Sequence, residues 1–254
     1  MNYRLFNPDH EIALAMNNKG FVASRNVRQM YTDLGYIPAL WAEDGDVVIV
    51  EDVILVEQAF MELPLKHRPT VRFMTLKDAA AQIRQNDKIN SAAHNYELCT
   101  MHSCLHSAQN YALIKPWGWN KALCETLKSA GIPVTMLPND EQLQQWRTLS
   151  GRALAVTILK ELEAVGRTVG IAEVCKATCE VEDFQGLYRN IVIKAPYSSS
   201  GRGVRFIGAE GIDDATRNWI GRTIKQQGYV TVEKKYDKLI DFAVEYEMTA
   251  SGEL

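Results

Sequence analysis

Several things are scarce in this chain of 254 residues, and each scarcity excludes something. Cysteine is one: five residues, an odd number, are spread along the whole length. A disulfide framework is therefore not expected, and the composition fits a reducing, cytoplasmic setting. Charge of one sign is not in excess. The formal net charge is −3, so the basic surface that would read nucleic acid is missing. The most apolar stretch, Val47 to Phe60, is interrupted by Glu51, Asp52 and Glu57, and nothing reads as a membrane span. Residues Met1 to His10 lack the apolar core of a signal peptide. A Gly-x-x-x-x-Gly-Lys-Ser/Thr loop is absent, which excludes a P-loop. No Gly-x-Gly-x-x-Gly follows the first strand, which argues against a dinucleotide-binding Rossmann enzyme. There is no internal repeat and no low-complexity segment.

What is present suffices for a large core: 46% of residues are hydrophobic and 23% charged, as in ordinary globular domains. Tyr3–Phe6 reads as a first strand, followed by the loop Asn7-Pro8-Asp9-His10-Glu11 and a helix start. Ser24 caps a helix to Leu34 that Gly35 ends. Asp46–Val50 and Val53–Val56 read as strands. Thr75 and Asp78 resemble a capping box before the helical run Ala79–Arg84. Tyr111–Lys115 reads as another strand, Asn120 as the cap of a helix Lys121–Ser129, and Ile132–Leu137 as the next strand. This alternation predicts an α/β N-terminal domain with a mainly parallel sheet over residues 1–137.

Open α/β sheets bind ligands outside the carboxyl ends of their strands. The loops Asn7–Glu11 and Lys115–Asn120 occupy such ends. Asn7, Asp9, His10, Lys115, Trp117 and Asn120 are accordingly the candidates for a small-molecule acceptor site. Trp117 and Trp119, flanking Gly118, either wall a pocket or pack beneath a helix. His10 beside Asp9 suits proton transfer, although a loop histidine can equally be inert. Cys99, His102, Cys104 and His106 are too compressed to wrap one zinc ion. With Leu98, Met101 and Leu105 at helical spacing, they read better as a partly buried helix.

Pro138 and Gly151 interrupt the pattern and place a domain boundary within 136–150. Beyond it come helices to Leu149 and over Ala153–Val165, a strand Ile171–Cys175, and a short helix Glu182–Arg189. Cys175 and Cys179 read as packing residues. The stretch Ile191–Gly208 then stands out. Its ends are β-type, its tip is built of small residues, and it holds Lys194, Arg202 and Arg205 without any acid. Exposed backbone N–H groups flanked by cations make a cradle for an oligoanion. The competing possibility is a hairpin tip whose serines are only solvated. A helix Ile212–Gln227 closed by Gly228, and strands Tyr229–Glu233 and Asp241–Thr249, complete an α+β region over 138–254.

In chain order, then, come Arg152 opening a helix, Lys194 on a strand before Ser198–Gly203, a helix, a strand ending in Glu233, and Asp241 on the next strand. This order resembles an ATP-grasp protein, and the N-terminal unit is similar to the pre-ATP-grasp domain that precedes that fold. The likeness in arrangement covers the whole chain; agreement of motifs is confined to about residues 150–247. It implies that Arg152 and Lys194 hold nucleotide phosphates, and that Ser198, Ser199, Ser200, Gly201 and Gly203 form a loop closing over them. Glu233 would accept from the adenine amino group, the backbone near Lys235 would meet the ring, and Asp241 would bind the ribose. ATP and Mg²⁺ are the implied cofactors, with the metal ligands expected beyond Leu254, because residues 138–254 match only the first part of the ATP-grasp fold. The expected activity is that of an ATP-dependent carboxylate–amine or carboxylate–thiol ligase working through an acyl phosphate. The alternative is a non-catalytic nucleotide-binding or interaction module, a truncated or degenerate relative. Small-molecule substrates are the expected partners. A sheet edge left open where the chain stops leaves a homo-oligomer possible as well.

Overall fold

The computed structural model describes residues 1–94, 114–167, 170–198, 201–240 and 243–244. Strand β1 (Tyr3–Leu5) sits inside a four-stranded, wholly parallel sheet with β2 (Val47–Val50), β3 (Arg72–Thr75) and β4 (Ile114–Pro116), in the order β3-β2-β1-β4. Every residue of β2 is buried, as a strand covered on both faces must be. Side chains alternate between the faces. Val47 and Ile49 join Tyr3, Ile83, Ile114 and Leu127 in one core, while Val48 and Val50 join Val56 and Phe60 in another. The helices flanking this sheet are α1 (His10–Met16), α2 (Arg25–Leu34), α3 (Val53–Glu62), α4 (Leu76–His94) and α5 (Lys121–Ser129). Ile83 and Leu127 are fully buried, each contributing roughly 1.5–3 kcal/mol of apolar burial.

Three local expectations change. Val53–Val56 is not a strand but the first turn of α3. Asp52 accepts a hydrogen bond from the Leu55 N–H at 3.0 Å, and Val56 and Phe60, four residues apart, face the core together. Ile132–Leu137 is not a strand either. Pro133 brings no N–H to a sheet ladder, and the segment folds as a 3₁₀ turn, Val134–Met136, that tucks Ile132, Met136 and Leu137 into the core. Strand β3, not anticipated, is held through Phe73, whose ring meets Phe60 at 5.5 Å.

A separate antiparallel sheet follows, with β5 (Ala172–Cys175), β6 (Ile191–Lys194), β7 (Val204–Ile207) and β8 (Val230–Lys234) in the order β5-β8-β6-β7. Helices α6 (Asp140–Ser150) and α7 (Ala153–Ala164) precede it, and α8 (Thr178–Tyr188) and α9 (Asp214–Gln227) connect its strands. Each connecting helix joins two strands that have a third inserted between them, so the sheet consists of two split βαβ units. Ile191, Ile193, Val230 and Val232 pack on Val181, Phe184 and Ile220 from these helices. Cys175 is buried in this core as expected, but Cys179 lies exposed on the first turn of α8. The Cys99–His106 run, most of the expected strand Asp241–Thr249, and Ser199, Ser200 and Asp241 lie outside the described residues. Among the described residues no helix is long and apolar enough to cross a membrane.

One buried ion pair fixes the entry to the parallel sheet. Arg4 Nε donates to Asp46 Oδ2 at 2.6 Å, with Asp46 only 1% exposed. Asp46 also accepts from the Asn2 and Glu43 N–H groups at 2.7 and 3.3 Å. Burial alone would raise its carboxyl, but these donors and the Arg4 charge outweigh burial and hold it below the ordinary 3.8. A depressed carboxyl contributes stability above that ordinary value and loses it as pH falls through the folded one. Asp46→Asn is expected to cost about 3 kcal/mol, because Arg4 is left buried without its counter-charge. Urea unfolding at pH 7 measures that loss, and the gap between variant and parent should shrink below pH 3.8.

Candidate functional site

The loops that follow β1 and β4 are tied together by one side chain. Asn7 is buried, and its amide donates to the Gly118 carbonyl at 2.8 Å while its Oδ1 accepts the Gly118 N–H at 3.2 Å. A Cβ at Gly118 would collide with the His10 ring, so any larger residue there would have to displace it. Asn120 caps α5 through Oδ1, which accepts from the Leu123 N–H at 2.9 Å. Its NH₂ is thereby turned toward His10 Nδ1, at 3.4 Å. That contact makes Nδ1 the acceptor and leaves the imidazole proton on Nε2. Burial lowers the His10 pKa against the opposing pull of Glu11 and Asp9. In this state His10 is neutral and set as a donor rather than a base.

Asp9 faces the other way and accepts from the Tyr31 hydroxyl at 2.6 Å. Burial, that hydrogen bond and the charges of Asp9 and Glu51 push the Tyr31 phenol far up, so it remains a donor. Asp9 and His10, consecutive in sequence, thus line two neighbouring clefts. The first, of about 320 Å³, is bounded by Phe6, Asp9, Phe21, Tyr31, Glu51 and Asn120 among others. The second, of about 280 Å³, has His10, Glu11 and Leu14 on one wall and Arg152, Tyr197 and Ser198 on the other. Lys115 and Trp117 belong to neither. They line a third cleft, of about 260 Å³, with Arg4, Pro38 and Trp41. Trp117 is half-exposed and meets Phe6 edge-on at 5.6 Å. Trp119 packs on the main core and stacks with Trp146 at 6.5 Å, so for this residue the packing alternative holds.

The β6–β7 hairpin supplies the second set of candidates. It closes through the Ala195 N–H to the Gly203 carbonyl at 2.7 Å. Gly203 is buried where a Cβ would collide with the Ser198 side chain and press on Ala195, and Gly201 takes φ +71°, a conformation glycine adopts without strain. Arg152, at the start of α7, donates to the Ala195 carbonyl at 2.9 Å and to the Ser198 carbonyl and hydroxyl at 3.3 and 3.2 Å. Lys194 pairs with Glu233 at 2.6 Å. In the β6–β8 register Lys194 opposes Thr231, so Glu233, two residues on, is its diagonal neighbour on the same face. Lys235 is exposed, and its N–H donates to the Asn190 carbonyl at 2.9 Å.

A seam between α1 and the hairpin brings the two sets together, and sequence reasoning missed it. Tyr197 is buried against Leu14 and Ala15, and its hydroxyl donates to the Arg147 carbonyl at 3.0 Å. The Arg147 guanidinium lies 4.4 Å over the Tyr197 ring and donates through Nε to the Leu14 carbonyl at 2.8 Å. Tyr197 was the one signal available, an aromatic in a run of small polar residues. Glu51 and Tyr31 were missed too. Glu51 follows an apolar strand directly, so the strand-end rule that selected Asn7 to Glu11 reaches it.

Lys194 and Arg152 both stand at the glycine-closed hairpin, Lys194 engaged by Glu233 and Arg152 by hairpin oxygens; Arg152 lines the second cleft, and Lys194 is not among its lining residues. Among the described residues no group of three His, Cys, Asp or Glu side chains is gathered to hold a metal ion. No family model matches the chain, and no curated protein matches it. Two outcomes are expected. Gly203→Ala should lower stability by about 1–3 kcal/mol through overpacking at the hairpin neck, read as a drop in thermal midpoint. The His10 ring protons should titrate by NMR with a midpoint below the ordinary 6.5.

Proposed function

We propose that the chain grips the nucleotide in an ATP-dependent ligase that joins a carboxylate to an amine or a thiol through an acyl phosphate. The supporting observation is the second cleft, where the Arg152–Ser198 wall of the hairpin faces the His10–Glu11 wall of the parallel-sheet unit. In this reading Lys194 and Arg152 hold phosphates, with Ser198, Gly201 and Gly203 closing the loop above them, and Glu233 accepts from the adenine amino group. Ser199 and Ser200 would belong to the same loop and Asp241 to the ribose. The Lys235 N–H is spent on Asn190, which leaves its carbonyl for the base.

The chemistry proceeds in two displacements. A substrate carboxylate oxygen attacks the terminal phosphorus, and the bond to the bridging oxygen of ADP breaks. The amine or thiol then attacks the acyl carbon, the carbon–oxygen bond breaks, phosphate leaves with the electron pair, and the nucleophile's proton passes to solvent. Charged donors on rigid elements favour the first step by meeting charge that develops on the transferring group. The described residues do not assemble a magnesium site.

A second reading, a non-catalytic nucleotide-binding or interaction module, draws on one specific observation. Both cations already have partners, Lys194 in Glu233 and Arg152 in the hairpin carbonyls. Calorimetric titration of the whole chain with ATP and with inorganic triphosphate tests the site. Lys194→Ala should weaken both by about 10- to 100-fold, the worth of a charged hydrogen bond. Glu233→Ala, which removes the acceptor, should leave triphosphate binding unchanged or tighter while erasing the preference for ATP. Equal affinity of Lys194→Ala and parent would remove Lys194 from the site. ADP release with Mg²⁺, a carboxylate and an amine or thiol separates the ligase from the binding module.

A further inference from the structure

The first cleft is not lined by any residue proposed above to hold the nucleotide, and its make-up is specific. It opens outside the carboxyl ends of β1, β2 and β3, beside the start of α5, where open α/β sheets bind ligands. Its volume of about 320 Å³ is at the small end for ligand sites. Phe6, Phe21 and Leu123 give it apolar walls, and three charges border it: Asp9, Glu51 and Arg28. Tyr31 donates to one oxygen of Asp9 and Thr32 to one oxygen of Glu51, and among the described residues no hydrogen bond reaches the second oxygen of either acid. Arg28 is the cation among the lining residues, and among the described residues its guanidinium makes no hydrogen bond or ion pair.

Charge complementarity narrows the ligand. A simple cation would leave Arg28 unmatched, and a simple anion would meet two carboxylates. A zwitterion with a short apolar body answers all three charges and both aromatic walls. We propose that this cleft binds a free α-amino acid with an apolar side chain, its ammonium toward Asp9 and Glu51, its carboxylate toward Arg28, and its side chain against Phe6 and Phe21. The further role of that ligand as the amine of the ligation rests on the ligase reading; its binding does not. Asp9 and His10 are adjacent, so the amine would sit one residue away from the cleft assigned to phosphoryl chemistry.

Calorimetry on the whole chain tests this with four probes: L-leucine, L-phenylalanine, N-acetyl-L-leucine and L-leucinamide. The free amino acids should bind, and loss of either charge should weaken binding by about 10-fold or more, as for a charged hydrogen bond. Arg28→Gln should weaken L-leucine by a similar factor and leave L-leucinamide unchanged. Glu51→Gln should weaken both and leave N-acetyl-L-leucine unchanged. Both positions are exposed, so unchanged thermal midpoints are expected and confirm that the variants are folded. The proposal is overturned if no free amino acid binds at millimolar concentration, if the acetylated and amidated probes bind as well as L-leucine, or if neither substitution alters L-leucine binding. L-leucine binding without ADP release under any substrate set upholds the site and removes the ligase reading. ADP release driven by another amine or thiol, with no amino acid bound in this cleft, does the reverse.

Discussion

The two-way grip of Asn7 on the Gly118 backbone is the contact on which the candidate sites depend. It joins the exits of β1 and β4, which are adjacent parallel strands. A buried amide with both its donor and its acceptor satisfied gains stability, whereas the same group unpaired would cost about 1–3 kcal/mol. The loop conformation is therefore over-determined. Its consequence is the division of labour between two consecutive residues: Asp9 is turned to Tyr31 and the first cleft, His10 to Gly118, Asn120 and the second. Substituting Gly118 would displace His10 before anything else moved.

The parallel sheet sets the position of that turn, and the seam sets what faces it. Arg147 is central to the seam because a single guanidinium serves both partners. It donates to the Leu14 carbonyl of α1 and lies over the Tyr197 ring at the neck of the hairpin. Stacking on an aromatic face while donating in the ring plane is a combination that a lysine ammonium does not offer. The Tyr229 hydroxyl reinforces the same corner by accepting from the Ala153 N–H at 3.2 Å, and Gly151 is confined there by the hydroxyls of Tyr197 and Tyr229. With α1 and the hairpin held together, Arg152 and His10 come to line one cleft although 142 positions, 152 − 10, separate them in sequence.

Much of this was legible in the sequence where local chemistry decides structure. The hairpin strands Ile191–Lys194 and Val204–Ile207, the Asn120 cap and the Gly228 helix end follow from β-propensity, capping and glycine conformation, and all are present. Failures arose where tertiary context decided. Val53–Val56 is as β-branched as a strand, but the Asp52 cap and the spacing of Val56 and Phe60 make it a helix. For the site, the strand-end rule found Asn7, Asp9, His10 and Asn120, which the structure places on two loops tied together through Asn7, with Asp9 and His10 lining different clefts. It also picked Lys115 and Trp117, which point to a different cleft. Arg147 and Tyr31 were invisible because a polar or aromatic residue on a helix shows nothing of the partner that a later element brings to it.

The Lys194–Glu233 pair bears on whether a polyanion can enter at all. A lysine already holding a carboxylate at 2.6 Å looks unavailable. The side chains are, however, 26% and 35% exposed, and pairs so open to solvent are typically worth only about 0–1 kcal/mol. In the proposed complex a triphosphate would offer Lys194 several negative charges and strong acceptor oxygens, so exchange of partners there would cost little compared with what the phosphates gain. Glu233, once released, stays on the same face two residues from the strand position opposite Lys194. In the proposed complex it would be a free acceptor, able to discriminate a base that carries an amino group from a phosphate chain alone. Pairing in the empty state and the base-reading role proposed for the occupied state are thus compatible for one carboxylate, provided solvent screening leaves the pair weak enough to part.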